Sequence, residues 1–176
     1  MGRLYYITGG AGSGKSEYAE QLAERLHTEL GGPLYYVATM NPAPRDSDAA
    51  ARIAKHQKRR AGRGYTTIEC PTDIAQLRAQ TLNNAVFLLE DLTNLYANEV
   101  YGTSGHSHEI VAPLLELTQQ AGALIIVANE LYSDGIDYGP ETDRFLRDLA
   151  GLAAALSAAA DQVTEVVYGI PVHLKA

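Results

Sequence analysis

Apolar positions along this 176-residue chain change their spacing again and again, and each change predicts a new element. Leu4-Tyr5-Tyr6-Ile7-Thr8 is a continuous apolar stretch, the pattern of a strand buried on both faces. Tyr18, Leu22, Leu26 and Leu30 then recur every four residues, with Ala19 and Ala23 beside them. That is one apolar stripe of a helix starting near Glu17. Gly31-Gly32-Pro33 stops it. Residues 34–39 read as a second buried strand, and Pro42 and Pro44 make the next stretch a loop. Asp46 or Ser47 can cap a helix that runs to Gly62 and Gly64. Tyr65-Thr66-Thr67-Ile68-Glu69 follows as a short strand.

Thr72 is placed to cap another helix, ending near Asn83. Ala85-Val86-Phe87-Leu88-Leu89 is a further apolar run and ends in Glu90-Asp91. Residues 92–101 read as helix, 102–106 as loop, and a helix follows to about Ala121. Residues 123–128 are the next strand, 131–140 a mobile loop, and 141–160 a long helix rich in Ala and Leu. Strands 162–168 and 172–175 close the chain around a Gly169-Ile170-Pro171 turn. Apolar strands alternating with helices imply an α/β fold, a largely parallel sheet with helices on both sides. No repeat or linker interrupts the pattern, so residues 1–176 are expected to form one domain.

Ligands of such sheets bind at the carboxyl ends of the strands. The first such end carries Gly9-Gly10-Ala11-Gly12-Ser13-Gly14-Lys15-Ser16, which fits the phosphate-binding P-loop G-x-x-x-x-G-K-[ST] between a strand and a helix. Glycines let consecutive N–H groups turn inward, and the helix N-terminus adds positive potential. Lys15 is expected to reach the β- and γ-phosphates, and the Ser16 hydroxyl to help hold Mg²⁺. Val86-Phe87-Leu88-Leu89-Glu90-Asp91 has the shape of a Walker B strand, whose terminal carboxylate faces the metal. Either Glu90 or Asp91 fits, and alternation along the strand lets only one of them point there.

Composition narrows the picture. Apolar residues at 46% and charged residues at 20% suit a soluble globular protein. No apolar run approaches the ~20 residues of a membrane span, and the N-terminus lacks the order of a signal peptide. Cys70 is the only cysteine, so no disulfide within the chain is possible, which suits a reducing cytoplasm. The net charge of −7 is uneven: Arg52, Lys55, Lys58, Arg59, Arg60 and Arg63 lie within twelve residues that hold no acid. Removing those six leaves eight basic against 21 acidic residues, a balance of −13 elsewhere. One local basic stripe fits an anion held in place; nucleic-acid binding usually shows a broader footprint.

At helical spacing Arg52, Lys55, His56, Arg59, Arg60 and Arg63 share one face, and Lys58 falls off it. Cations around His56 disfavour its imidazolium form, leaving a neutral ring able to act as nucleophile or base. The plain alternative is a solvated basic helix with a bystander histidine. His106-Ser107-His108-Glu109 reads as a surface loop rather than a metal site, His27 and His173 as structural, and Glu130 as a strand end near the site's edge.

Taken together, these blocks resemble the bifunctional adenosylcobinamide kinase / adenosylcobinamide-phosphate guanylyltransferase family. The P-loop with Ala19-Glu20, the strand Tyr36-Val37-Ala38-Thr39, and Arg52-Ile53, His56 and Arg60 in an R-I-x-x-H-x-x-x-R pattern carry the resemblance. So do Thr67-Ile68-Glu69, Leu88-Leu89-Glu90, Asn98, Asn129-Glu130 and Gly169-Ile170-Pro171. The resemblance implies a P-loop NTPase of the three-layer α/β/α, RecA-like kind. It implies transfer of a phosphoryl group to adenosylcobinamide, then of GMP from GTP through His56. By position Ala38, Thr39, Arg60, Glu69 and Glu90 would contact nucleotide or metal. The substrates would be ATP, GTP and a corrinoid, and the assembly a homo-oligomer, a trimer. Asp91 departs from the family's usual cysteine, and residues 131–138 from its short Gly-rich loop. A P-loop regulatory protein, or a member keeping one reaction, are the other readings.

Overall fold

The protein is described by a computed structural model over residues 2–40, 54, 58, 60–80, 83–102 and 109–176. Its strands are β1 (Arg3–Gly9), β2 (Leu34–Ala38), β3 (Tyr65–Glu69), β4 (Val86–Glu90), β5 (Ala123–Asn129), β6 (Gln162–Val167) and β7 (Ile170–Lys175). They form one seven-stranded sheet in the order β3-β2-β4-β5-β1-β6-β7. All pairs are parallel except β6–β7. Parallel neighbours need crossovers, and the helices α1 (Lys15–Leu30), α2 (Leu92–Tyr101), α3 (Val111–Gln120) and α4 (Pro140–Ala159) lie between the strands in sequence.

Both faces of the sheet are covered, as the continuous apolar runs require. On one face Ala19, Leu22, Ala23 and Leu26 of α1 pack on Ile7, Tyr36, Leu88, Ile125 and Val127. On the other, Leu95 of α2, Leu114 of α3 and Leu156 of α4 pack with Tyr6, Val37, Phe87, Leu89 and Ile126. Burying each large apolar side chain stabilises the fold by about 1.5–3 kcal/mol before entropy is counted. The stripe read from Tyr18 to Leu30 is therefore the packing face of α1. Gly31 ends that helix in a left-handed conformation, φ 66°, and its N–H caps the His27 carbonyl at 2.9 Å.

Two elements differ from expectation. The segment after Thr72 is a 3-10 helix, Ile74–Gln80, rather than an α-helix. Its buried side chains, Ile74 and Leu77, stand three apart, and a helix of period three places both on one side. The N–H of Asp73, just before this helix, donates to Glu99 Oε1 at 2.6 Å. The closing turn is also shorter than expected. Tyr168 (φ 50°) and Gly169 (φ 78°) form a two-residue hairpin turn, so Ile170 and Pro171 already belong to β7. Pro171 is tolerated because β7 is the sheet's edge. Among the described residues, no helix is long and apolar enough to cross a membrane.

Candidate active site

β1 delivers Gly9 to the carboxyl edge near the middle of the sheet. A side chain at Gly9 would meet the Val166 carbonyl oxygen at 2.6 Å, so the loop can leave the strand only through glycine. Gly14 has φ 94° and is the N-cap of α1, with no side chain capping the helix. The first backbone bond of the helix runs from the Tyr18 N–H to the Gly14 carbonyl at 3.1 Å. The N–H groups just inside the helix start thus have no partner within it, the arrangement that receives phosphate. The turn of the β6–β7 hairpin braces the loop from below, through Gly169 N–H to the Ser13 carbonyl at 2.7 Å.

Lys15 is 7% exposed and lies across the loop, its Nζ donating to the Gly10 carbonyl at 3.0 Å. Burial holds its pKa below the ordinary lysine value, and the negative charges of Asp91 and Glu90 oppose that shift. Ser13 Oγ is buried and finds no partner among the described residues.

The structure separates Glu90 from Asp91. Glu69, Ala38 and Glu90 are register partners across β3, β2 and β4, so they share the face that carries α1. There the Ser16 hydroxyl donates to Glu90 Oε1, and the Tyr36 hydroxyl to Oε2 at 3.2 Å. Asp91, whose charge also reaches Lys15, is bonded differently. Its Oδ1 accepts the Asn94 N–H at 2.7 Å as the N-cap of α2, and its Oδ2 accepts Asn129 Nδ2 at 3.0 Å. Burial pushes its pKa up, and the Asn94 N–H is the largest opposing influence. The aspartate that replaces the expected cysteine thus has a structural use as a helix cap.

Thr39 is fully buried, and its hydroxyl both donates to the Asp91 carbonyl and accepts the Asp91 N–H, each at 2.8 Å. Asn98 Nδ2 donates to the carbonyls of Thr39 and Pro71. Glu69 is exposed at the end of β3. Buried Cys70 has its thiol pKa pushed up to about 11 by desolvation, which leaves it protonated and unreactive at neutral pH.

Of the basic segment, Arg52, Lys55, His56 and Arg59 lie outside the described residues. Lys58 is exposed. Arg63 folds back on α1 and pairs with Glu20 at 3.0 Å and Glu24 at 2.6 Å. Part of the stripe's charge is therefore neutralised by carboxylates that local periodicity cannot reveal. Arg60 is 6% exposed, with its guanidinium carbon 3.2 Å from the centroid of the Tyr36 ring. Tyr36 is the site residue that reading the strand pattern misses, since a tyrosine within an apolar run looks like core. The available signal was its position two residues before Ala38, on the face of Glu90.

The remaining candidates behave simply. His27 Nδ1 lies 2.6 Å from the Gly32 carbonyl, and His173 Nδ1 lies 3.1 Å from Thr164 Oγ1, so both bond within the fold. His106 and His108 lie outside the described residues. Among the described residues, no three His, Cys, Asp or Glu side chains cluster as a metal site. Glu130 accepts the Tyr132 N–H and the Ser133 hydroxyl, and its own N–H reaches the Gly9 carbonyl at 3.2 Å. With Leu131, Asp134, Tyr138 and Leu146 it lines a cavity of about 360 Å³ beside the loop.

Residues 5–174 match the sequence profile of the family described as cobinamide kinase / cobinamide phosphate guanyltransferase. The chain is 31% identical over 175 residues to the bifunctional adenosylcobalamin biosynthesis protein CobP of Pseudomonas aeruginosa, covering 96% of this chain and 95% of that one. It is 31% identical over 191 residues to the bifunctional adenosylcobalamin biosynthesis protein CobU of Salmonella typhimurium, covering 98% and 99%. Among solved structures, an ATPase domain aligns with a TM-score of 0.56 at 11% identity, over 93% of this chain and 68% of that chain. The flagellar accessory protein FlaH of Methanocaldococcus jannaschii aligns with a TM-score of 0.53 at 15% identity, over 98% and 78%. These two likenesses show the fold, a RecA-like α/β arrangement with a mostly parallel sheet, and nothing finer.

Proposed function

The chain belongs to the cobinamide kinase / cobinamide phosphate guanyltransferase family, and on that premise we propose that it carries out two successive transfers. In the first, the terminal phosphoryl group of a nucleoside triphosphate, ATP or GTP, goes to the aminopropanol hydroxyl of adenosylcobinamide. In the second, a His56 ring nitrogen attacks the α-phosphorus of GTP, the bond to pyrophosphate breaks, and GMP stays on the ring. The phosphate oxygen of adenosylcobinamide phosphate then displaces the histidine, giving adenosylcobinamide-GDP. The family's description names both halves of this chemistry, and its relatives are called bifunctional, which supports the reading.

The observation that carries it is the meeting of Ser16 and Glu90 directly beside the glycine loop and Lys15. A hydroxyl and a carboxylate converging on one point are oxygen donors of the kind Mg²⁺ takes, with phosphate oxygens and water filling the other positions. Ser16 and Glu90 would hold the ion, which when bound neutralises phosphate charge. The glycine loop and the start of α1 hold the phosphates through backbone N–H groups, and Lys15 exchanges the Gly10 carbonyl for a phosphate oxygen. Ala38 and Glu69, on the same face as Glu90, border the nucleotide.

Residues 1–176 act as one unit in this reading, supported by the single sheet that all described strands share. They assemble as a homo-oligomer, a trimer. The exposed Ile170, Val172 and Leu174 on β7, the strand at one end of the sheet order, support burial between copies. The test of the chemistry is mass spectrometry after incubation with GTP and Mg²⁺. The expected result is a gain of one GMP on the tryptic peptide holding His56, acid-labile and absent in His56→Ala. Label that persists in His56→Ala would reject the assigned nucleophile.

A further inference from the structure

Tyr36 touches two groups that the proposed chemistry needs and that otherwise do not meet. Its hydroxyl donates to Glu90 Oε2 at 3.2 Å, while the Ser16 hydroxyl takes Oε1. Its ring carries the Arg60 guanidinium at 3.2 Å from the centroid. Tyr65 stands against it edge-on, with centroids 6.5 Å apart and planes at 84°. Tyr36 and Arg60 are 5% and 6% exposed, so neither is free to swing through water.

Arg60 is incompletely satisfied in this position. Its Nε and Nη1 are buried and have no hydrogen-bond partner among the described residues. A cation–π contact offsets only part of the cost of burying a guanidinium, and two idle donors add to that cost. An oxyanion would remove it, because guanidinium presents its N–H groups as a fork suited to phosphate. Glu90 has the opposite constraint. Both of its oxygens are held by hydroxyl donors, which fix a side chain whose last torsion is otherwise broad.

We propose that Tyr36 is a positioning residue with two duties: its hydroxyl aims Glu90 at the divalent cation beside Ser16, and its ring holds Arg60 ready for a phosphate oxygen of the nucleotide. The inference rests on the P-loop and Glu90 being the nucleotide and metal site. Removing the hydroxyl releases Glu90 and takes one bond from Arg60, while the ring that carries the guanidinium stays. Removing the ring releases both.

The experiment is calorimetric titration of the full chain with a non-hydrolysable GTP analogue, once in excess Mg²⁺ and once in EDTA. Tyr36→Phe keeps the ring and the volume. It is expected to bind within about twofold of wild type in EDTA and to lose about tenfold of the gain that Mg²⁺ brings. Arg60→Gln is expected to show the reverse, about tenfold weaker binding in EDTA with the Mg²⁺ gain kept. Tyr36→Leu should combine the two losses. An unchanged Mg²⁺ gain in Tyr36→Phe would overturn the proposal. So would an equal loss in both media, which would mark Tyr36 as merely structural. A wild type that binds no nucleotide, or gains nothing from Mg²⁺, would instead reject the underlying reading of the site.

Discussion

On the α1 side of the sheet, Glu90 meets Ser16 and Tyr36, Lys15 rests on a backbone carbonyl, and two donors of Arg60 are idle among the described residues. One residue further along the chain, Asp91 accepts from Asn94 and Asn129, and its backbone is clasped by Thr39. Both regions bury polar groups at the same edge of the same strands. They differ in how the groups are paired. Around Asp91 hydroxyl, amide and carboxylate satisfy one another, and the result is a brace. Around Glu90 the partners are provisional: a lysine on a carbonyl, a guanidinium on an aromatic face, helix N–H groups without a partner inside their helix. Such unspent capacity costs stability and is what a charged ligand can use. The sealed side keeps the open side in shape.

The sharpest break in this comparison comes from removing charge on the open side. Lys15→Met should lower turnover by at least ~100-fold, since a preorganised cation at developing phosphate charge is lost. Its melting temperature should hold or rise, because a buried cation with one carbonyl partner is gone. A variant that unfolds would show that Lys15 belongs to the brace. Glu90→Gln should come next: about 10- to 100-fold less Mg²⁺-dependent turnover with an unchanged melting temperature, read by a coupled kinase assay and calorimetry.

The sealed side should answer in stability. Thr39→Val strands the Asp91 N–H and leaves the Asp91 carbonyl only the Leu95 N–H, so about 2 kcal/mol of unfolding free energy should disappear in urea titration. Asp91→Asn is the gentlest change. Asparagine still caps α2, so stability at low pH should move by no more than about 0.5 kcal/mol. Because burial raises the Asp91 pKa, the folded wild type holds its proton above pH 3.8 while the unfolded chain releases it. Wild-type stability therefore falls as pH rises through that window. Asp91→Asn lacks this slope, so it should gain on wild type from pH 3.8 upward. A difference that shrinks with rising pH would contradict the assignment of Asp91 to the buried side.

How much of this was legible follows from what local spacing can carry. The glycine loop, the α1 stripe and the apolar run of β4 are short-range patterns, and they fold as their periods demand. The choice between Glu90 and Asp91 was open, because spacing does not say which carboxylate the Ser16 hydroxyl meets. The pairing of Arg63 with Glu20 and Glu24 was hidden for a related reason: the partners lie some forty residues apart on another element. Tyr36 was hidden by its own hydrophobicity. The 3-10 helix at Ile74–Gln80 shows a local pattern overridden by packing, with Ile74 and Leu77 buried three residues apart. His56, the centre of the basic motif, lies outside the described residues, so its role rests on sequence and kinship.

The division between the open and the sealed side can be measured directly by hydrogen exchange, with and without a non-hydrolysable GTP analogue and Mg²⁺. The account predicts slowed exchange in peptides spanning residues 9–18 and 34–38, with little change across 92–101. Protection confined to the cavity residues 130–146, with 9–18 unaffected, would contradict it.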